Sequence, residues 1–398
     1  MNIANILIFH GLARPICGGQ SRYRNLTDRL TLRGNKVIVI EPEDFKDEME
    51  NESIEVTTYK ELRLPRRSLC IFRDINPSFI ESVARVLKHG NIDIVMISHP
   101  SGALITKILA KILGRTVPVV YDAHNFETEF IKETFSNDFK YSRLERLIIP
   151  IYVRVLERVT SRWVFDYITC VSERDREFFI AKPGISHDKV FVIPTGVRIS
   201  SLPDRLDRER LRRKLGINPE AVVVAFHGIY SHPANREAFA QIAGPIAAAL
   251  KQGNERILIR VGGTRVPKFE KGNLQSLGFI EDLHEFLSVA DIAIVPISHG
   301  AGVKVKFFDY LSMGLPIVTT TKGAEGIKVK NGEDAVIVSD SDTDFIDAIL
   351  ALANSPSERA RIGANGRRIA EEEYDWDAIG EKLDHLLTSL LGRSRPGA

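Results

Sequence analysis

Short runs of β-branched and aliphatic residues alternate with longer stretches of helical character, and this alternation restricts the fold more than any other feature of the chain. A first series comprises Ile6-Leu7-Ile8-Phe9, Lys36 to Ile40, Ile92 to Ser98, Val117 to Tyr121, Tyr167 to Val171 and Val190 to Pro194. Near-continuous apolar runs separated by helix-length segments predict parallel strands covered by helices on both faces. After Pro194-Thr195-Gly196 the chain turns charged, from Asp204 to Lys214. A second series then follows: Ala221 to Gly228, Ile257 to Val261, Asn273 to Leu277, Asp291 to Pro296, Pro316 to Thr321 and Ala335 to Val338. At 398 residues the chain is too long for one ordinary core. We expect an α/β protein of two doubly wound domains, with the boundary between 197 and 220. Ligands of such sheets bind beyond the carboxyl ends of the strands, so two facing domains would create a cleft.

Composition narrows the function classes. Hydrophobic residues make up 44% and charged residues 27%, as in ordinary globular chains. The net charge of +2 gives no nucleic-acid surface. Cys17, Cys70 and Cys170 are odd in number and have no paired spacing, against both a disulfide scaffold and a zinc site. The first residues carry neither a basic leader nor a small-residue cleavage site, and the apolar segment Ile3 to Phe9 is too short to span a bilayer. A cytoplasmic protein is expected.

The segment most suggestive of chemistry is Gly300-Ala301-Gly302-Val303-Lys304-Val305-Lys306-Phe307-Phe308-Asp309, which runs on to Gly314-Leu315-Pro316. It lies between two apolar runs and reads as strand, glycine loop, helix, strand. Glycines admit a ligand to the backbone, a helix start offers free N–H groups, and Lys304 and Lys306 add positive charge. Asp309 would accept hydrogen bonds from paired sugar hydroxyls. Phosphate, cation and hydroxyl acceptor together indicate a nucleotide-sugar.

Other loops follow strands in the same way. His10 to Arg22, with Gly18 and Gly19, is a glycine-bearing loop entering a helix, but it lacks the three-glycine dinucleotide spacing. A plain strand-to-helix turn is its equal alternative. Tyr121-Asp122-Ala123-His124-Asn125 sets a histidine between an acid and an amide at a strand end, which favours function for His124; His99 reads as structural. In the second series, Gly228 and Gly262 follow strands. Asn235 or Ser231 reads as a helix cap. The segment Leu277 to Leu283, with Phe279, Ile280 and Leu283, follows a strand in the same way, and sequence chemistry alone does not show whether its backbone meets a flat base edge.

Together these segments resemble retaining glycosyltransferases of family 4, which have the GT-B fold of two Rossmann-like domains facing across a cleft. The resemblance rests on Gly278 to Leu283, Ala290-Asp291 to Pro296, Gly302 with Lys306, Asp309 to Pro316, Gly323-Ala324-Glu325-Gly326 and Gly363 to Trp376. In the first half, Asp122 to Asn125, Val171-Ser172-Glu173 and Ile193 to Val197 fall in the expected order. It implies an acceptor-side domain over 1–197, a nucleotide-sugar domain over 198–372, and a closing helix over 373–398 that crosses back. It implies donor contacts at Gly18, Gly19, Gly228, Gly262, Phe279, Ile280, Leu283, Gly302, Val303, Lys304 and Lys306, with Asp309 on the ribose. His124 would lie beside the donor sugar as the catalytic residue.

The chain departs from the family twice. Ala301 stands where an acid usually contacts the donor sugar, and Ile229 to His232 lack the arginine and lysine that often follow the glycine at Gly228. We expect Lys304 and Lys306 to supply the missing charge. There is no carboxylate pair for double displacement and no acidic metal cluster; Asp340, Asp342 and Asp344 read as a solvated turn or helix cap. The expectation is a metal-independent, retaining transferase with no cofactor, acting on a glycan, polysaccharide or lipid-linked acceptor. The alternatives are an inactive nucleotide-sugar-binding scaffold, favoured by Ala301, and a sugar-nucleotide epimerase or phosphorylase of the same architecture. The segment Arg143 to Trp163 is basic and amphipathic. We read it as an ordinary helix with solvated arginines, peripheral contact with an anionic membrane being the alternative. Arg205 to Lys214 reads as a charged surface helix.

Overall fold

The computed structural model describes residues 1–8, 18–45, 54–61, 76–137, 142–339 and 342–394. The chain divides into two compact units, one formed by Met1–Gly196 with Trp376–Ala398, the other by Val197–Asp375.

The first unit runs β1 (Asn2–Ile6), α1 (Gly18–Leu32), β2 (Lys36–Pro42), β3 (Ile54–Tyr59), α2 (Pro77–His89), β4 (Ile94–Ile97), α3 (Ala103–Ile112) and β5 (Val119–Ala123). It continues with α4 (Glu127–Asn137), α5 (Arg143–Trp163), β6 (Tyr167–Cys170), α6 (Glu173–Ile180) and β7 (Val190–Val192). The strands form one parallel sheet in the order β3-β2-β1-β4-β5-β6-β7. Helices cover both faces, because the central strands are buried throughout. On one face Phe79, Val83, Ala103 and Phe179 pack against Val95, Val119 and Tyr121. On the other, Tyr23, Leu26 and Leu30 of α1 share a core with Trp376, Leu383 and Leu387 of the last helix.

The second unit runs α7 (Arg205–Lys214), β8 (Val222–His227), α8 (Pro233–Gln241), α9 (Ala247–Gly253), β9 (Ile257–Gly262), β10 (Lys268–Lys271), β11 (Leu274–Leu277), α10 (Leu283–Ser288) and β12 (Ile292–Val295). After these come α11 (Lys306–Ser312), β13 (Ile317–Thr320), β14 (Val336–Val338), α12 (Asp342–Asn354) and α13 (Pro356–Glu373); α14 (Trp376–Ser394) then belongs to the first unit. The sheet order is β10-β11-β9-β8-β12-β13-β14. Strand order reverses at β8, between β9 and β12, so a binding crevice is expected beyond the carboxyl ends of β8 and β12.

Several expectations need correction. The first strand is Asn2–Ile6 rather than Ile6 to Phe9, although Leu7 N–H still donates to Ile40 O at 2.8 Å; Phe9 lies outside the described residues. The edge strands β3 and β10 escaped the sequence reading, and β10 pairs antiparallel with β11. The α7 helix is more than a charged surface: Arg208 and Arg212 grip Asp291 at 2.7 and 2.5 Å, and Arg212 is buried. Burial pushes the Asp291 carboxyl up, but the two guanidiniums outweigh it and hold the group below its ordinary range. Asp342 opens α12 and Asp344 accepts the Ser339 hydroxyl, in keeping with a helix start; Asp340 lies outside the described residues.

Candidate active site

The second unit assembles its polar cluster where the switch in strand order leads one to look. β8 ends in His227, whose Nε2 is 3.2 Å from Asp309 Oδ2 on α11. The His227 backbone N–H donates to the buried Tyr310 hydroxyl at 2.9 Å, and the two rings meet edge to face. Tyr310 thereby fastens the end of β8 to α11. One turn before Asp309, the Lys306 ammonium donates to Asn235 Oδ1 at 2.6 Å and lies 4.1 Å from the centroid of the Phe226 ring. Burial, then the nearby Lys304, push the Lys306 ammonium down to about 7, with Asp309 opposing. A lysine held this way is ready to take a proton when an anion arrives.

Glycines bring three strand ends close together. Gly228 N–H donates to Gly262 O at 3.1 Å, and Gly263 N–H to Gly278 O at 2.8 Å. Gly263 has φ +137°, and a Cβ there would lie 2.1 Å from Gly228 O, so no side chain fits. A Cβ at Gly228 would meet Lys306 Nζ at 2.9 Å, which places the ammonium directly against that backbone.

In the first unit, His124 follows β5, and its Nδ1 lies 2.6 Å from the Tyr23 hydroxyl on α1. The same hydroxyl is 3.2 Å from Ser98 O. Burial, then the charge of Asp122, raise the Tyr23 phenol well above its usual range, so it stays protonated and buttresses the imidazole. Asp122, two residues before His124, is held by buried Arg22 through bonds of 2.7 and 3.1 Å, and by Thr169 Oγ1 at 2.7 Å. Beside them Glu157 accepts the N–H groups of Glu127 and Thr128 at 2.9 and 3.0 Å. Burial, then the Glu157 charge, push the Glu127 carboxyl up to about 8. It keeps its proton at neutral pH.

Of the residues expected at the donor site, Gly228, Gly262, Gly302, Lys306 and Asp309 lie on the second unit's strand-end loops and α11. Gly302 has φ +79°, the turn that only glycine adopts freely. Val303 packs against the core. The Lys304 ammonium donates to Gly300 O and Gly302 O at 2.8 and 2.7 Å, closing its own loop rather than standing clear for a ligand. Phe279 is 67% exposed, Ile280 lies against Gly262, and Leu283 is the first residue of α10, capped by Asp282. Gly18 and Gly19 open α1 itself; the loop His10 to Cys17 lies outside the described residues. Asn235 is not a cap, since His232 holds that position and Asn235 binds Lys306 and Ile229 O instead. His227, Tyr310 and Asn235 were missed. The one available signal was a histidine ending a strand immediately before a glycine. Among the described residues no three His, Cys, Asp or Glu side chains form a metal-binding group.

The comparisons agree with this geometry. A family model described as Glycosyltransferase Family 4 matches residues 16–201, and one described as Glycosyl transferases group 1 matches residues 221–355. The chain belongs to these glycosyltransferases. A Corynebacterium glutamicum relative, a GDP-mannose-dependent monoacylated alpha-(1-6)-phosphatidylinositol monomannoside mannosyltransferase, is 26% identical over 56% of this chain and 62% of its own. An Escherichia coli relative, a UDP-Gal:alpha-D-GlcNAc-diphosphoundecaprenol alpha-1,3-galactosyltransferase, is 24% identical over 72% of this chain and 73% of its own. The chain spans about three fifths of the length of the first relatives it matches. Among solved structures, Anabaena Alr3699/HepE in complex with UDP superposes with a TM-score of 0.71 at 16% identity, over 98% of this chain and 100% of its own. Sucrose-phosphate synthase from Thermosynechococcus elongatus gives 0.73 at 16%, over 98% and 99%. These likenesses give the glycosyltransferase the GT-B fold.

Two expected results arise from the site of this glycosyltransferase. Gly228→Ala should push the Lys306 ammonium aside, because its new methyl meets the flexible ends of Lys306 and Asn235 rather than backbone. Nucleoside-diphosphate affinity, measured by calorimetry, should fall about tenfold with little change in melting temperature. The second result concerns pH. The free protein's Lys306 loses its proton near 7, and a bound diphosphate would restore it, so binding takes up a proton above that pH. Affinity should weaken as pH rises from about 7 to about 9, by at most about tenfold per unit. Lys306→Arg, charged throughout, should flatten the profile.

Proposed function

We propose that the protein is a retaining, metal-independent glycosyltransferase that moves a hexosyl group from a nucleoside-diphosphate donor to a glycan, polysaccharide or lipid-linked acceptor on the cytoplasmic side. The observation that carries this reading is the set of Lys306, Asn235, His227 and Asp309 gathered at the carboxyl end of β8. Lys306 is the diphosphate contact and Asp309 the ribose contact, with His227 orienting the Asp309 carboxylate. As the glycosidic bond breaks, charge grows on the leaving phosphate, and a lysine already poised beside Gly228 answers it without a metal ion. Under retention the acceptor attacks on the face the diphosphate leaves, and the departing phosphate takes the acceptor's proton. His124, held by Tyr23, is our candidate catalytic residue at the donor sugar. Family membership supports the donor class. The named relatives, which act on phosphatidylinositol mannosides and on an undecaprenyl-linked sugar, support the acceptor class.

The test is a thermal-shift screen against UDP, GDP and ADP and then their sugars, followed by product analysis with an acceptor panel. A stabilising nucleotide with sugar transfer of retained configuration is expected. Stabilisation without turnover on any acceptor would favour a binding protein, the reading to which Ala301 and the self-bonded Lys304 lend weight. No response to any nucleotide would reject both.

A further inference from the structure

The Tyr23 hydroxyl brings one hydrogen to two close contacts. Ser98 O lies 3.2 Å from the phenol oxygen, and His124 Nδ1 lies 2.6 Å from it. A carbonyl oxygen only accepts, whereas an imidazole nitrogen donates or accepts according to its tautomer. If the hydroxyl donated to Nδ1, the Ser98 contact would set lone pair against lone pair. One arrangement turns both contacts into hydrogen bonds: His124 Nδ1–H donates to the phenol oxygen, and the phenol O–H donates to Ser98 O. Two bonds in series polarise each other in the same direction. Burial, then the charge of Asp122, raises the phenol well above its usual range, so its hydrogen is present to be given.

The surrounding fold holds this arrangement still. Tyr23 is 2% exposed and shares a core with Leu26, Leu30 and Trp376. Arg22, the residue before it, grips Asp122, two residues before His124. Adjacent positions of α1 therefore clamp the chain on either side of Ala123. Ser98 is fixed as well, because its Oγ accepts the Ile8 N–H at 2.9 Å and so ties the end of β4 to the residues after β1. The phenol and imidazole rings stand at 82° with centroids 5.7 Å apart, so they meet through the hydroxyl rather than by stacking. A phenol that served packing alone would need one acceptor, and Ser98 O already supplies it.

We infer that Tyr23 is a positioning residue that fixes His124 in its Nδ1–H tautomer, so that the Nε2 lone pair accepts a hydrogen bond from a substrate hydroxyl. A histidine side chain in water prefers the opposite tautomer, with the hydrogen on Nε2, and the contact with Tyr23 reverses that preference. In the opposite form, Nε2–H would suit a phosphate oxygen. With the lone pair there, the fitting group is one that carries a hydrogen, which selects a sugar hydroxyl over the diphosphate. The tautomer stands on the geometry around Tyr23, while the substrate hydroxyl rests on the proposed transfer reaction. Tyr23 acts only through the imidazole.

The experiment is long-range proton–nitrogen correlation NMR on the full chain with isotope-labelled histidine nitrogens, at about pH 7.5, above the ordinary imidazole range. The signal lost in His124→Gln assigns the residue. Native His124 should carry its hydrogen on Nδ1, and in Tyr23→Phe most of it should move to Nε2, with a melting curve to show that the variant is folded. A native Nε2–H form would overturn the inference, whether or not the variant folds, as would an Nδ1–H form that persists without the hydroxyl. With a donor found in the thermal-shift screen, Tyr23→Phe should lower kcat about tenfold and leave the nucleotide-induced thermal shift unchanged. Undiminished kcat would deny the tautomer any part in transfer. A native chain that responds to no nucleotide would instead reject the transferase reading, and the substrate hydroxyl with it, while the spectrum still decides the tautomer.

Discussion

Lys306→Ala is expected to weaken nucleoside-diphosphate binding by up to about a hundredfold and to leave the protein folded. A charge-assisted bond to phosphate is worth roughly 1.5–3 kcal/mol, and this ammonium lies against the Gly228 backbone where a diphosphate is expected. The fold should not suffer. The lysine titrates near its ordinary value in the unfolded chain but near 7 in the native one, so at and below neutral pH its buried charge works against folding. Alanine removes that opposition, at the expense of Asn235 Oδ1, which loses its donor. Calorimetry with UDP or GDP, beside a melting curve near pH 7, reads both effects; unchanged affinity would remove Lys306 from the site. Lys304→Ala should do less to affinity and more to the loop, since its ammonium ties Gly300 O to Gly302 O.

Arg22→Ala should destabilise the first unit by about 3–5 kcal/mol, because it strands a buried carboxylate. Arg22 and Asp122 are buried, and the guanidinium also donates to Pro194 O at 2.7 Å. Three segments distant in sequence therefore meet on one side chain: α1, the end of β5, and the residues after β7. Chemical denaturation should show the loss. The double change Arg22→Met with Asp122→Leu, which strands no charge, should recover most of it. Recovery would mark the pair as a device for aiming the loop that begins at His124, and transfer activity should then stay low although stability returns. A single variant as stable as the native chain would show that the ion pair holds nothing in place.

How legible the molecule was in its sequence depends on what each residue faces. Central strands such as Ile94–Ile97 and Ile292–Val295 are buried on both sides, and their unbroken apolar runs announce them. The missed strands are at edges. Ile54–Tyr59 carries an exposed glutamate, and Lys268–Lys271 is mostly charged, because an edge strand needs little core and gains from charge. The same logic divides the site. Lys306 and Asp309 were visible because one short helix presents both, three residues apart. Their partners Asn235 and His227 come from α8 and β8, and no local pattern links residues more than 70 positions apart. Asn235 was misread for a related reason: before Lys306 is known to sit beside it, an asparagine in the first turn of a helix resembles a cap.

The helix α14 gives the order of synthesis a physical consequence. Trp376, Ile379, Leu383, Leu387 and Leu390 belong to the same core as Ile3, Leu7 and Tyr23, although the whole of Val197–Asp375 is translated between them. On the ribosome, the first unit to begin emerging must wait with the α1 side of its core incomplete, while the second can close around its own core as soon as Asp375 clears the exit tunnel. The later half of the chain is thus set to mature first, and a pause in translation before Trp376 would leave α1, and with it Tyr23 and Arg22, on an open apolar surface.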